Sequence, residues 1–245
     1  MKTTSGVKIA LFLLLPAAAV QAAPPAAPVE YKALVDAGSW PAVIKAYGLA
    51  RPGKEIKIYF YDTPELALYR RGLVLRARTG KKRGDSTVKM RPAPEVVPAS
   101  VSSDRGFKCE YDSAPGGAVY SCSLTAKLEN RKIAAAAAGG AAAGKLFSGP
   151  QRSWAGVADW EKVRALGPVK SSSWEAAGQG IKKLSFERWD MPGGPSFFEV
   201  SFRAPGRAEA DEGIKALRSE LERLGVKLAE EQSSKTYAAM AFFLK

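Results

Sequence analysis

Apolar and charged residues alternate one by one in several segments of this chain. Arg76 and Arg78 alternate with Leu75 and Ala77 in LVLRAR, and the same pattern recurs in STVKM and SFFEVSFR. Because successive side chains point to opposite faces of a strand, each segment predicts a strand with one apolar and one charged face. On pattern alone, the charged faces lie either on the surface of a β-sandwich or inside a closed barrel with a polar lumen.

Further strands are predicted at 28–35, 55–62, 182–190 and 234–244, and helices at 41–49 and 210–225. Asp62 and Thr63 are predicted to cap the turn before Pro64, and Gly72 to end the short helix that follows. The Ala-rich segment 124–147 favours a helix, although Gly139 and Gly140 weaken its centre. Whether it is a lid over one mouth of a tunnel or a flexible insertion is left open by the sequence. Segment 148–180 has no clear pattern. Helices interspersed among more numerous strands predict one α+β domain over 23–245.

The first 22 residues have the pattern of a secretory signal peptide. Lys2 and Lys8 precede an apolar run, and small residues precede a predicted cleavage after Ala22. The apolar run is shorter than the roughly 20 residues that a membrane span needs. The sequence therefore predicts a secreted or periplasmic protein without a transmembrane anchor after cleavage.

The chain is strongly basic, with 37 Lys and Arg residues against 24 Asp and Glu residues. Removing Lys2 and Lys8 with the signal peptide changes the net charge from +13 to +11. Such a charge favours an anionic partner, which is nucleic acid, anionic lipid, a cell-surface polyanion or a small phosphate compound, and the charge alone does not choose among these. The sequence disfavours nucleic acid, since no zinc-ligand spacing or RNA-binding signature accompanies the charge.

Cys109 and Cys122 are the only two cysteines. They are equidistant from the Pro115–Gly116 bond in a hairpin-like segment, so a hairpin places them opposite one another. In an oxidising compartment this predicts a cross-strand disulfide; two buried free thiols are the alternative.

Four ordered motifs resemble the central signature of the CYTH family, which includes class IV adenylate cyclases, thiamine triphosphatases and inorganic triphosphatases. They are DTP at 62–64, LRAR at 75–78, TVK at 87–89 and SK at 234–235. VEYK at 29–32 resembles part of that family's E-x-E-x-K strand. The resemblance covers about 28–245 and is strongest at 59–91.

The resemblance implies an antiparallel β-barrel with covering helices, whose tunnel holds a triphosphate through basic residues and Mg²⁺ or Mn²⁺ through carboxylates. Arginine and lysine donate charge-assisted hydrogen bonds to phosphate, and carboxylate oxygens suit hard divalent ions. The phosphate binders carried over are Lys32, Arg76, Arg78, Lys89 and Lys235. The candidate metal ligands are Glu30, Glu110, Asp112, Glu187 and Glu199.

The carboxylates depart from the family pattern. Pro28 replaces the first glutamate of E-x-E-x-K, and Ser201 stands where the late strand often has a second glutamate. Fewer carboxylates weaken metal binding more than phosphate binding. Two hypotheses follow: a metal-dependent phosphohydrolase, with Glu110 and Glu199 as the best candidate ligands, or a non-catalytic barrel that binds a polyanion or is structural.

Other classes of active site find little support. The chain contains no histidine, which removes the usual general base near neutral pH. It also lacks the G-x-S-x-G, Walker A and H-E-x-x-H motifs. The catalytic residues, the oligomeric state and the substrate are not predicted.

Overall fold

The computed structural model describes residues 27–245, so the predicted signal peptide lies outside the described residues. The strands are β1 (Val29–Val35), β2 (Lys54–Asp62), β3 (Leu73–Arg78), β4 (Gly84–Met90), β5 (Phe107–Ala114), β6 (Gly117–Leu128), β7 (Arg164–Gly178), β8 (Ile181–Asp190) and β9 (Ser196–Ala204). The helices are α1 (Trp40–Tyr47), α2 (Ala67–Arg70), α3 (Ala99–Ser102), α4 (Asn130–Ala137), α5 (Gly149–Ala155), α6 (Arg207–Arg223) and α7 (Lys235–Phe242). None of these helices has the length and apolar character that crossing a membrane requires.

The nine strands close into one barrel in the order β1-β5-β6-β4-β3-β2-β7-β8-β9. The pairing of β1 with β5 is parallel, and the other eight neighbouring pairs are antiparallel. The predicted α+β barrel with covering helices is therefore confirmed. A closed barrel leaves no free sheet edge, which removes the usual site of edge-to-edge aggregation.

Strand β3 shows how the alternating sequence builds this barrel. Leu73, Leu75 and Ala77 are buried in the layer between the barrel and its helices. Arg76 and Arg78 point the other way and line the central cavity. The charged faces therefore lie inside a barrel and do not form the surface of a sandwich.

The Ala-rich segment divides among the end of a strand, an α-helix and a 3-10 helix at Ala143–Leu146. Its first residues complete β6, and only Asn130–Ala137 is an α-helix. Ile133 and Ala136 of this helix are buried against the outward-facing Leu75, Val88 and their neighbours. Burying a side chain such as that of Ile133 contributes about 1.5–3 kcal/mol. The segment therefore covers the barrel wall and does not form a lid, which the sequence alone had not excluded.

The predicted strand at 234–244 is wrong, because Lys235–Phe242 forms helix α7. The Ser234 hydroxyl accepts the N–H of Tyr237 and caps the helix. Ala239 and Met240 are fully buried in an apolar cluster with Phe60. This helix packs against inward-facing residues of the barrel and positions Lys235 at the cavity.

Asp62 organises the turn between β2 and β3, as predicted. Its carboxylate is fully buried and accepts the backbone N–H groups of Thr63, Leu68 and Tyr69 at 2.7, 2.9 and 2.8 Å. These bonds satisfy donors at the start of α2 that the short helix leaves unpaired. Asp62 therefore has a structural role next to the cavity.

The predicted disulfide is confirmed. Cys109 and Cys122 are directly opposite one another in the β5–β6 hairpin, with an S–S distance of 2.02 Å. The two sulfurs lie on the outer side of the hairpin, because the alternate residues Glu110 and Ser123 face the cavity. The bridge therefore fixes the pair of strands that carries part of the candidate site.

Candidate anion and metal site

The barrel encloses a cavity of about 1720 Å³ with both basic and acidic walls. The basic side chains that line it are Lys32, Lys54, Arg76, Arg78, Lys89, Arg91, Lys108, Lys182, Lys183, Arg203 and Lys235. The acidic ones are Glu30, Glu110, Asp112, Glu175, Glu187, Glu199, Glu209 and Glu212. All ten side chains that the sequence nominated for phosphate or metal binding thus line one cavity.

Three of the nominated carboxylates form a cluster. One oxygen atom from each of Glu30, Glu110 and Asp112 lies within 4.8 Å of the others. The parallel pairing of β1 and β5 sets Glu30 opposite Asp112, and Glu110 lies on the same face two residues earlier. Register therefore creates a cluster that no contiguous motif contains.

Each carboxylate of this cluster has cationic partners. Lys32 and Arg203 approach Glu30 at 2.5 and 2.9 Å. Lys89 lies 2.7 Å from Asp112, which also binds Arg91. Side chains of opposite charge are therefore in contact with one another along this part of the cavity wall.

Glu110 is held in the same way. Lys108 donates to both of its carboxylate oxygens, at 2.7 and 2.8 Å. Its side chain is 7% exposed, so this carboxylate depends on protein partners for most of its stabilisation.

Asp112 has a further partner besides its cations. The Ser121 hydroxyl, on the neighbouring strand β6, donates to this carboxylate at 2.6 Å.

These cations keep Glu30 and Asp112 ionised. Burial alone favours the neutral form of Glu30, but the charges of Lys32 and Arg203 outweigh it and lower the pKa of this carboxyl to about 2. Burial likewise opposes ionisation of Asp112, and the charges of Lys89 and Lys32 prevail and lower its pKa. Both groups are therefore carboxylates at neutral pH.

Glu187 and Glu199 form a second group around Lys235. Lys235 binds Glu187 and lies 3.1 Å from Glu199, and its Nζ lies 4.2 Å from the centre of the Trp189 ring. Ser171 donates to Glu187 at 2.7 Å. Glu199, a best candidate metal ligand from the sequence, thus lies with a lysine of α7 and outside the three-carboxylate cluster.

The pKa values of the two carboxyls of this group are shifted in opposite directions. Burial of Glu187 is outweighed by the Lys235 charge and hydrogen bonds, and its pKa falls to about 2. Burial dominates at Glu199 and raises its pKa, despite the charges of Lys235 and Lys32.

Arg78 is held by a carboxylate of the neighbouring strand. Its Nε and Nη2 atoms donate to the two oxygens of Asp85 at 3.0 and 3.1 Å. This two-point contact fixes the guanidinium plane at the cavity wall. Thus Lys32, Arg78, Lys89 and Lys235 each have at least one carboxylate partner.

Arg76 differs from these four cations. No carboxylate among residues 27–245 forms an ion pair with it, and its buried Nε atom has no hydrogen-bond partner. Burial, together with the nearby charge of Arg78, lowers the pKa of its guanidinium to about 10. Arg76 therefore remains charged at neutral pH and presents an unsatisfied donor inside the cavity.

The sequence did not nominate Arg91, Lys108, Arg203 or Asp85. Arg91 and Lys108 share the inward alternation of Lys89 and Glu110, and this pattern was a signal that could have found them. Arg203 meets Glu30 through the β1–β9 pairing, and Asp85 meets Arg78 through β3–β4. These two contacts depend on strand register, which the sequence does not reveal.

The three-carboxylate cluster has the donor chemistry that a divalent cation requires. All its ligand atoms are anionic oxygens, which Mg²⁺ and Mn²⁺ prefer, and the remaining positions of an octahedral ion are normally filled by water or substrate. Glu30, Glu110 and Asp112 could therefore hold one such ion.

Comparison with solved structures shows the same fold in two other proteins. One is an adenylate cyclase candidate from Bacillus halodurans, with a TM-score of 0.59, 14% sequence identity, and coverage of 85% of this chain and 95% of that chain. The other is an adenylyl cyclase candidate from Hippeastrum whose dominant activity is that of a triphosphatase, with a TM-score of 0.63, 14% identity, and coverage of 87% and 95%. No family model and no curated protein matches the sequence.

The closed barrel thus defines this chain as a protein with a CYTH-like fold. The resemblance in the sequence motifs is confirmed at the level of fold, over most of both chains.

Proposed function

We propose that this protein binds a triphosphate, or a related small phosphorylated anion, inside the barrel. The observation that carries this proposal is the unsatisfied Arg76 guanidinium. A buried cation without a partner is costly, and an anionic ligand at this position removes that cost. Lys32, Arg78, Lys89 and Lys235 surround the same cavity and supply further donors once they exchange carboxylate partners for phosphate oxygens.

The proposed setting is extracytoplasmic. In this proposal, residues 1–22 are a signal peptide that precedes a CYTH-like domain at 23–245, and the mature protein is released or periplasmic. The Cys109–Cys122 bridge supports this setting, because disulfides persist in oxidising compartments.

The proposed metal is Mg²⁺ or Mn²⁺, held by Glu30, Glu110 and Asp112. Bound at a phosphate ester or anhydride, such an ion supplies charge neutralisation of the phosphate oxygens. The protein's own contribution is to orient the phosphates through Arg76 and Arg78. Enclosure by the barrel also limits solvent around the ligand, which strengthens these contacts.

A non-catalytic anion-binding or structural barrel is the second candidate. Each carboxylate of the cluster already has a cation within 2.8 Å, namely Lys32, Lys108 or Lys89. A divalent ion must displace or share these contacts, whereas a phosphate binder without metal chemistry needs no such change. Metal-dependent hydrolysis of the bound phosphate therefore distinguishes the first candidate from the second.

Phosphate release from tripolyphosphate by the purified mature protein tests this step, with Mg²⁺, with Mn²⁺ and with chelator. We expect turnover that requires the metal, and its loss in Glu110→Gln. The matched control is Glu175→Gln, which removes an exposed carboxylate of the cavity wall outside both groups.

Glu199→Gln separates the two carboxylate groups, and retention of metal-dependent turnover supports the three-carboxylate cluster as the metal site. Binding of tripolyphosphate without turnover by the unmodified protein would instead establish the non-catalytic alternative. If the protein neither binds nor hydrolyses tripolyphosphate, the anion site is contradicted and the structural barrel alone is left.

A further inference from the structure

A concentration of exposed positive charge lies outside the barrel, where the β3–β4 turn meets the start of α4. We call it the basic platform, and it consists of Lys57, Lys81, Lys82, Arg83, Arg131 and Lys132, all exposed. None of the six lines the cavity. The platform is therefore separate from the proposed anion site.

Hydrogen bonds join the three segments that form the basic platform. The Asn130 side chain accepts from the Gly80 N–H at 3.1 Å and donates to the Gly80 carbonyl at 2.8 Å, which ties the turn to α4. The Lys57 N–H donates to the Thr79 hydroxyl at 2.8 Å, and the Thr79 N–H donates to the Lys57 carbonyl at 2.9 Å, which ties the turn to β2. The cations are thus carried on an ordered backbone.

Little negative charge compensates the basic platform. Glu129 pairs with Arg131 at 2.6 Å and with Lys132 at 3.8 Å. Lys57, Lys81, Lys82 and Arg83 form no ion pair with any residue that the structure describes. The four unpaired side chains project their charge into solvent.

The sheet beside the turn contains a pair of lysines that add positive charge and repel one another across the two strands. Lys57 lies directly opposite Lys170 across the β2–β7 pairing, and both side chains are exposed. Like charges directly opposite one another destabilise a sheet. A favourable interaction with an external anion removes this repulsion.

We propose that the basic platform docks the protein on the anionic surface of a phospholipid membrane. Clustered lysine and arginine side chains are attracted to anionic headgroups. The exposed large apolar side chains among the described residues are Val96, Tyr237 and Leu244, none of which belongs to the platform. Adsorption is therefore electrostatic and lacks insertion into the acyl layer. The lack of an exposed aromatic side chain in the platform disfavours stacking of unpaired bases, so lipid is favoured over single-stranded nucleic acid.

Vesicle co-sedimentation of the full mature protein tests this proposal, using phosphatidylcholine vesicles with and without phosphatidylglycerol. We expect binding only with phosphatidylglycerol, and weakening as salt is raised. The triple variant Lys81→Gln, Lys82→Gln, Arg83→Gln should bind at least about tenfold more weakly. The charge-matched control is Lys215→Gln, Arg223→Gln, Lys227→Gln, which removes three exposed cations on or just after α6 and should bind as the unmodified protein does.

Arg76→Met tests whether the basic platform and the cavity are independent sites. We expect this variant to lose affinity for tripolyphosphate and to bind vesicles as the unmodified protein does. Equal vesicle binding by the two triple variants would overturn the assignment to the platform. Tighter binding to a short DNA duplex than to phosphatidylglycerol vesicles at the same salt concentration would identify a nucleic-acid surface instead.

Discussion

Arg76 is the residue in which the sequence motif and the physical chemistry of the site agree most directly. The other four predicted phosphate binders are neutralised by carboxylates, whereas Arg76 has no such partner among residues 27–245. Its charge is therefore not neutralised by a direct contact within the described structure. Arg76 is thus the one of these five residues that can bind a phosphate without giving up an ion pair.

Arg76→Met should raise the free energy of unfolding, because it removes a buried charge without breaking an ion pair. We expect a gain of about 1 kcal/mol, equivalent to a rise of roughly 2–4 °C in Tm for a chain of this size. Thermal unfolding without ligand measures the effect. Lys235→Met is the contrasting variant, since it leaves Glu187 and Glu199 without their cation and should cost about 3–5 kcal/mol. Equal destabilisation by both variants would contradict the distinction.

Lys89 should make the affinity of the cavity for a phosphorylated anion depend on pH. Burial lowers the pKa of its ammonium to about 8, with Lys32 and Arg91 opposing the positive charge and Asp112 favouring it. Lys89 is therefore charged below pH 8 and becomes neutral above it. Because a neutral lysine attracts phosphate weakly, we expect the Kd for tripolyphosphate to rise by up to about tenfold between pH 7 and 9.

Lys89→Arg is the control for this prediction, because arginine stays charged throughout the range. Any titration of the ligand is common to both proteins, so the difference between their calorimetric pH profiles isolates the lysine. Identical profiles would show that Lys89 does not carry the effect.

The elements differ in how far the sequence predicted them. Strand β3 was predictable, because its alternation is regular and DTP marks the turn before it. The inward direction of its arginines followed only from the resemblance to the CYTH family, since the alternation fits a sandwich surface equally well. Helix α7 was not, because SKTYAAMAFFL is mainly small and apolar and has no period that separates a buried strand from a buried helix. The clusters in the cavity required strand register: Glu30 meets Asp112 only because β1 and β5 pair in parallel.

The turn between β2 and β3 provides an element-scale prediction. Asp62→Ala leaves the N–H groups of Thr63, Leu68 and Tyr69 without their acceptor. We expect a loss of about 2–4 kcal/mol from the free energy of unfolding, measured in denaturant. Asp62→Asn should cost less, since its amide oxygen can still accept. A negligible effect of Asp62→Ala would show that water replaces the carboxylate.

The β5–β6 hairpin provides a second element-scale prediction. Reducing Cys109–Cys122 should lower the free energy of unfolding by about 2–4 kcal/mol, because the bridge restricts the unfolded chain. Thermal unfolding with and without reductant measures this loss, and Cys109→Ser with Cys122→Ser should reproduce it and be insensitive to reductant. Two free thiols detected in the native protein before reduction would contradict the bridge.

At the scale of the whole molecule, positive charge has two distinct locations. Inside the barrel, four of the five predicted phosphate binders pair with carboxylates and Arg76 does not, which leaves a cavity suited to a phosphorylated anion. Outside it, the basic platform faces solvent. Composition alone showed a basic chain, and only the closed fold separates these two sets of charges.

Calorimetric titration of tripolyphosphate into the mature protein in the presence of chelator tests the central claim most directly. We predict binding by the unmodified protein and by the Lys81→Gln, Lys82→Gln, Arg83→Gln variant, and a loss of at least about tenfold in affinity for Arg76→Met, because a hydrogen bond to a charged group contributes about 1.5–3 kcal/mol. Unchanged affinity in Arg76→Met, with weakening only in the triple variant, would contradict an anion site inside the barrel.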